Sequence, residues 1–152
     1  MKQIFSLLLA LIFLASCQQE INQKENTQEQ SKVTARDGVF IHISHGMDDP
    51  HRVVMALQMA VMMSENKDVA VYFDIKGIEV VLKDAENIEY LTFAGSLEQI
   101  EKLKGKGVLL MACPGCLKAA GKTGDDVMDG VMVAEKEKFF NFTKGRILTL
   151  DY

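Results

Sequence analysis

The chain has 152 residues, the length of one domain rather than two. Its composition, 48% hydrophobic and 25% charged, excludes a wholly disordered or collagen-like chain. A net charge of -4 with no basic run argues against nucleic acid as a partner, and three cysteines are too few for a disulfide scaffold.

The first 16 residues read as an export signal. Lys2 supplies a positive charge, and the segment from Ile4 to Ala15 is almost unbroken apolar sequence. That length matches the apolar core of a secretory signal and falls short of the ~20 residues a membrane span needs. The stretch ends in Leu14-Ala15-Ser16-Cys17, which resembles the lipobox of bacterial lipoproteins. The resemblance implies cleavage before Cys17, a lipid on its sulfur, and a domain held outside the cytoplasm. The competing readings are a plain signal peptide, or a short buried helix with a chance cysteine. The linker over 17–37 is rich in Gln, Asn and Glu and has too few apolar residues to offset the entropy of ordering it. The domain is expected over 38–152, about 115 residues.

Within the domain, short apolar runs rich in β-branched residues recur at Val39–Ile43, Val69–Phe73, Val108–Ala112, Val131–Ala134 and Ile147–Leu150. Runs of this kind predict strands buried on both faces. Helical signals fall between them. Asp49-Pro50 supplies an N-cap and a first-turn proline for a helix running to about Asn66. Ser96-Leu-Glu-Gln99 has the pattern of a capping box, with Gly105 suited to the end of that helix. Short helices are expected after Cys113 and over Glu135 to about Thr143, while Gly77–Lys83 fits helix or strand. The alternation predicts an α/β fold, a three-layer sandwich around a mainly parallel sheet of about five strands. In such sheets sites form beyond the carboxyl ends of the strands.

The helix beginning at Pro50 carries two apolar stripes. Val53, Leu57, Ala60 and Val61 form one; Met55, Met59, Met62 and Met63 form the other, nearly opposite. A helix apolar all round is covered on both sides, and in so small a domain a second subunit is the expected cover for the methionines. Core filling and copper binding are the other readings of that stripe.

The chemical signal is Val-Leu-Leu-Met-Ala-Cys113-Pro-Gly-Cys116. A strand ends at Ala112, and Cys113 takes the N-cap of a helix starting at Pro114. Its sulfur then faces free N–H groups at the positive end of the helix, a setting that favours thiolate over thiol. Cys116, one turn on, is within disulfide reach. The pair fits thiol redox exchange, a persulfide on Cys113 resolved by Cys116, or a soft-metal site. A structural disulfide is the remaining reading, although so small a loop gains little from chain entropy. A structural zinc site needs four ligands, and no second CxxC exists. The MxCxxC spacing also occurs in copper-chaperone loops, but those open a domain after its first strand, whereas only 36 residues follow Cys116.

Taken together, a first strand ending in HISHGMDDPHRVVMALQMA, a second in VYFDIKGIEVV, then VLLMACPGCLKAAG and the terminal GRILTLDY resemble the DsrE/DsrF-like sulfur-relay family over residues 38 to 152. The resemblance implies a compact α/β fold, assembly into oligomers, and a role in accepting and passing on sulfur. It makes Cys113 the sulfur-bearing residue and implies no cofactor beyond that persulfide sulfur. Many relatives end the cysteine motif in Arg-Gly, whereas this chain has Ala120-Gly121, with Lys118 the nearest basic residue. The export signal is a second departure, because sulfur relay ordinarily runs in the reducing cytoplasm.

Other residues give weaker signals. His45 and Asp48 follow the first strand, and His45 is a candidate to take the proton of a Cys113 thiol. His42 alternates with Phe40 and Ser44 and reads as a hydrogen-bonded core histidine; His51 reads as exposed. Asp74 is either a site carboxylate or a strand-end residue, and Asp125, Asp126 and Asp129 read as a solvated loop. There is no phosphate loop, nucleophile elbow or HExxH motif.

The reading is therefore a lipid-anchored envelope protein, a homo-oligomer without nucleic acid, whose Cys113 and Cys116, assisted by His45, handle sulfur or thiol redox with an unidentified donor and acceptor. A soft-metal module and a non-catalytic oligomeric protein with an inert disulfide are the alternatives.

Overall fold

The computed structural model describes residues 35–152, so the expected signal, the lipidation site Cys17 and most of the linker lie outside the described residues. These residues form a compact unit of their own. The first of the described residues are already packed. The Arg36 guanidinium donates to the carbonyls of Asn66 and Lys67, and Asp37 pairs with Arg146 at 2.7 Å.

Among these residues the strands are β1 (Gly38–Ile43), β2 (Asp68–Phe73), β3 (Leu109–Ala112), β4 (Met132–Val133) and β5 (Ile147–Asp151). They form one parallel sheet in the order β4-β3-β2-β1-β5. The expected α/β sandwich is what the chain builds. The sequence places β1 first, but the topology places it inside the sheet, with the order reversing between β1 and β5. That reversal is a topological switch point, where open parallel sheets leave a crevice.

Four helices connect the strands: α1 (Pro50–Met63), α2 (Ser96–Gly105), α3 (Pro114–Ala119) and α4 (Lys136–Asn141). α1 packs on β1 and β2, and α2 packs on α1. Beneath them lie Val39, Ile41, Ile43, Val71, Phe73 and Leu110, all essentially buried. α4 covers part of the other face, its Phe139 ring 5.7 Å from Phe40 and 5.0 Å from Tyr72. Those two layers and the sheet between them are the three-layer arrangement.

Some local signals hold and others yield to tertiary contacts. Asp49 caps α1 through the Arg52 N–H, with Pro50 in the first turn, although the helix stops at Met63 rather than Asn66. The segment after Lys76 is a 3-10 turn, Gly77–Val81. The capping box at Ser96 does not form. Gly95 takes the cap position, Ser96 turns inward to accept the Ile88 N–H, and Gln99 donates to the Val54 and Ala94 carbonyls. Asn87, from the preceding loop, accepts the Leu97 N–H instead. Tertiary contacts there claim the polar groups that the local pattern assigns to a cap. Burial on both faces also fails for β5, an edge strand paired with β1 alone, whose Ile147 and Leu148 are 46% and 56% exposed. The aliphatic stripe of α1 is buried as expected at Val53, Leu57 and Ala60, while Met55 and Met62 face outward. No helix of the described residues is long and apolar enough to cross a membrane.

Candidate functional site

The carboxyl ends of β1, β2, β3 and β5 bring together His42, Tyr72, Asp74, Cys113 and Asp151. Parallel register does the alignment: His42 lies opposite Tyr72 on one side and Asp151 on the other. Beyond β3, the Cys113 N–H donates to the Phe73 carbonyl at 2.9 Å, which ties the cysteine turn to the end of β2.

Cys113 leaves β3 in an extended conformation and caps α3 with its own sulfur. The Sγ accepts the Cys116 N–H at 3.4 Å. Pro114 follows at no cost, because the first-turn N–H it lacks has no helical partner. The helix closes on Gly121, whose φ of +70° allows Lys122 N–H to reach the Leu117 carbonyl at 2.8 Å. The glycine eight residues after Cys113 is thus a helix stop.

Cys113 and Cys116 stand as free, half-buried thiols with different electrostatics. Burial works against a charge on Cys113, but the neighbouring Tyr72 hydroxyl, the Cys116 N–H and thiol and the Gly115 N–H favour the thiolate and bring its pKa below the ordinary value. Cys116 is shifted the other way. Burial comes first, and its thiol proton is given to the Cys113 sulfur; together they outweigh the Ile75 N–H, which donates to the Cys116 Sγ at 3.1 Å. Of the two, Cys113 is the more readily ionised and Cys116 the less. The same contact, after burial, pushes the Tyr72 phenol well above its usual range.

His42 is only 27% exposed in its side chain and lies between two carboxylates, with Nε2 2.7 Å from Asp74 and Nδ1 2.9 Å from Asp151. Burial lowers its pKa, but the bonds to Asp74 and Asp151 prevail and raise it. Its ring stacks on Tyr72 at 5.9 Å. It is hydrogen-bonded, as the sequence suggested, but at the site edge rather than in the core. His45 makes its hydrogen bond to Asp48 at 3.1 Å, and the hydrogen bonds of the two sulfurs go to other groups. The Gly46 N–H and then His45 hold the Asp48 carboxyl down to about 2. His51 is exposed and stacks on Tyr90 at 4.4 Å. Among the described residues, no group of three or more His, Cys, Asp or Glu side chains is arranged to hold a metal ion.

A family model described as DsrE/DsrF-like matches residues 37–144, most of the chain. The chain belongs to the DsrE/DsrF-like family. Membership supports a function of the sulfur-relay type at the level of the family. Two solved structures share the fold. The ychN protein from E. coli is 15% identical with a TM-score of 0.60, over 76% of this chain and 99% of that one. MTH1491 from Methanobacterium thermoautotrophicum, a protein of unknown function, is 23% identical with a TM-score of 0.53, over 74% of this chain and 98% of that one. A search of curated proteins finds no match. The DsrE-like domain of this chain differs from the family pattern expected above in having Ala120 before Gly121, and the groups that favour the Cys113 thiolate are Tyr72, Cys116 and the Gly115 N–H rather than a basic side chain.

Proposed function

We propose that this protein is a membrane-anchored sulfur carrier of the cell envelope, with Cys113 as the sulfur-bearing residue and Cys116 as the resolving thiol. The observation that carries the reading is the Cys113 sulfur at the N-cap of α3, accepting the Cys116 N–H at 3.4 Å, with the Cys116 thiol one turn on. A thiolate so held attacks the outer sulfur of a donor persulfide; the donor's S–S bond breaks, its thiolate leaves, and Cys113 carries the persulfide. An acceptor thiolate then takes the terminal sulfur and expels the Cys113 thiolate, a better leaving group for its lowered pKa. Without an acceptor, Cys116 attacks the Cys113 Sγ. Hydrosulfide leaves, and the pair is oxidised to a disulfide as the sulfane sulfur is reduced. The adjacency of the two sulfurs equally favours dithiol–disulfide exchange with a partner protein, the second reading.

A lipid on Cys17 would hold this chemistry outside the cytoplasm. The methionine face of α1, with Met55 and Met62 40% and 55% exposed, favours assembly with further copies of the chain. Sulfur loading tests the core of the proposal. The reduced protein is treated with inorganic polysulfide, freed of excess, and assayed for cyanide-labile sulfur. Cys116→Ser is expected to load and keep its sulfur, wild type to load and then release hydrosulfide as the disulfide forms, and Cys113→Ser to remain empty; loading of Cys113→Ser equal to that of Cys116→Ser would overturn it.

A further inference from the structure

The Cys116 sulfur is held from the end of β2, by the N–H of Ile75. Ile75 has φ +49°, in the left-handed region where a β-branched residue is a steric outlier. Its side chain does not hold it there by packing, for it is 63% exposed. The backbone around it does. Asp74 N–H donates to the Ile43 carbonyl at 3.1 Å, Lys76 N–H to the Ser44 carbonyl at 3.2 Å, and Gly77 N–H closes the turn onto the Asp74 carbonyl at 2.6 Å. The remaining tie is the Asp74 carboxylate, gripped by His42, whose other nitrogen is fixed by Asp151. Strained backbone persists only where surrounding contacts over-determine it, and it gathers at working sites.

We infer that His42 is the positioning residue of the Cys116 limb: clamped between Asp151 and Asp74, it locks the exit from β2 and so keeps the Ile75 amide on the Cys116 sulfur. Its use, though not its geometry, rests on the sulfur-carrier reading. In the resolving step Cys116 gives up its proton and attacks Cys113, and the Ile75 N–H meets the charge that forms. The charged or titratable groups around the imidazole are Asp74 at the β2 exit, Asp151 on β5 and the stacked Tyr72. Persulfide discharge is thereby linked to β5, the last strand of the sheet.

The test is site-resolved alkylation of the full chain by iodoacetamide across pH, read by mass spectrometry on each cysteine, and it needs no sulfur. In His42→Ala the Cys116 profile is expected to move to higher pH, slowing its alkylation at pH 8 about tenfold, as one pKa unit gives, with the Cys113 profile within about twofold of wild type. Adding Ile75→Gly should restore the Cys116 profile, because glycine takes the left-handed conformation without steric cost. A purely structural role for His42 would not be rescued in this way. An unmoved Cys116 profile in folded His42→Ala, or no rescue by Ile75→Gly, would overturn the inference. Should His42→Ala fail to fold, Asp151→Ala, at a carboxylate 71% exposed, carries the test with the same expected direction, and an unmoved profile there overturns it too. Loss of sulfur loading with these outcomes intact would count against the carrier reading alone.

Discussion

After burial, which opposes it, Tyr72 is the largest influence on the acidity of Cys113, and it was hidden in the sequence. Within Val-Ala-Val-Tyr-Phe, strand alternation says which face Tyr72 occupies and nothing about which sulfur lies under its hydroxyl. The cysteines were legible because their chemistry is local: a strand end, a proline and an N-cap fall in consecutive positions. Asp151 and Ile75 were not. One becomes a partner of His42 only through the parallel register of β1 and β5, and the other only through its backbone conformation. Tyr72→Phe removes a donor that favours the thiolate, so the Cys113 pKa should rise. Its alkylation at pH 7 should slow about threefold to tenfold and its pH profile move upward, while the rate above pH 10 stays close to wild type. An unchanged profile would remove Tyr72 from the site.

At the scale of elements, the turn from β2 into the 3-10 segment sets where Asp74 and Ile75 stand. Gly77 is required there because a Cβ would overlap the Ile43 carbonyl oxygen. Gly77→Ala should therefore cost about 2–3 kcal/mol and lower the melting temperature by about 10 °C in a thermal scan. Caps dictated by adjacent residues, Asp49 and Cys113, could be read from sequence; the start of α2 could not, because Asn87 reaches it from another loop and Ser96 is drawn inward. The two stripes of α1 were legible as a pattern, and their fates differ. Val53, Leu57 and Ala60 complete the core, whereas Met55 and Met62 contact solvent in the single chain. Replacing both methionines by lysine should leave the monomer folded and shift sedimentation toward smaller species; an unchanged assembly would place the interface elsewhere.

Across the whole molecule, alternation of apolar runs and helical signals was enough for an α/β sandwich, but not for the order β4-β3-β2-β1-β5. Strand order is set by which edges the crossovers leave free, a non-local outcome. It puts β5 beside β1 and opens the switch point that His42 and Asp151 span. With that order in place, the two thiols, Tyr72 and the His42 clamp form one cluster at the carboxyl edge of the sheet. The central claim of the sulfur-carrier proposal is a persulfide on Cys113. Intact-protein mass spectrometry of the chain purified from membranes without reductant, with alkylation mapping, tests it most directly. The account predicts a chain beginning at a lipid-modified Cys17 and a fraction carrying one extra sulfur atom on Cys113, removable by reductant. A Cys113–Cys116 disulfide in every molecule, with no added sulfur, would contradict it.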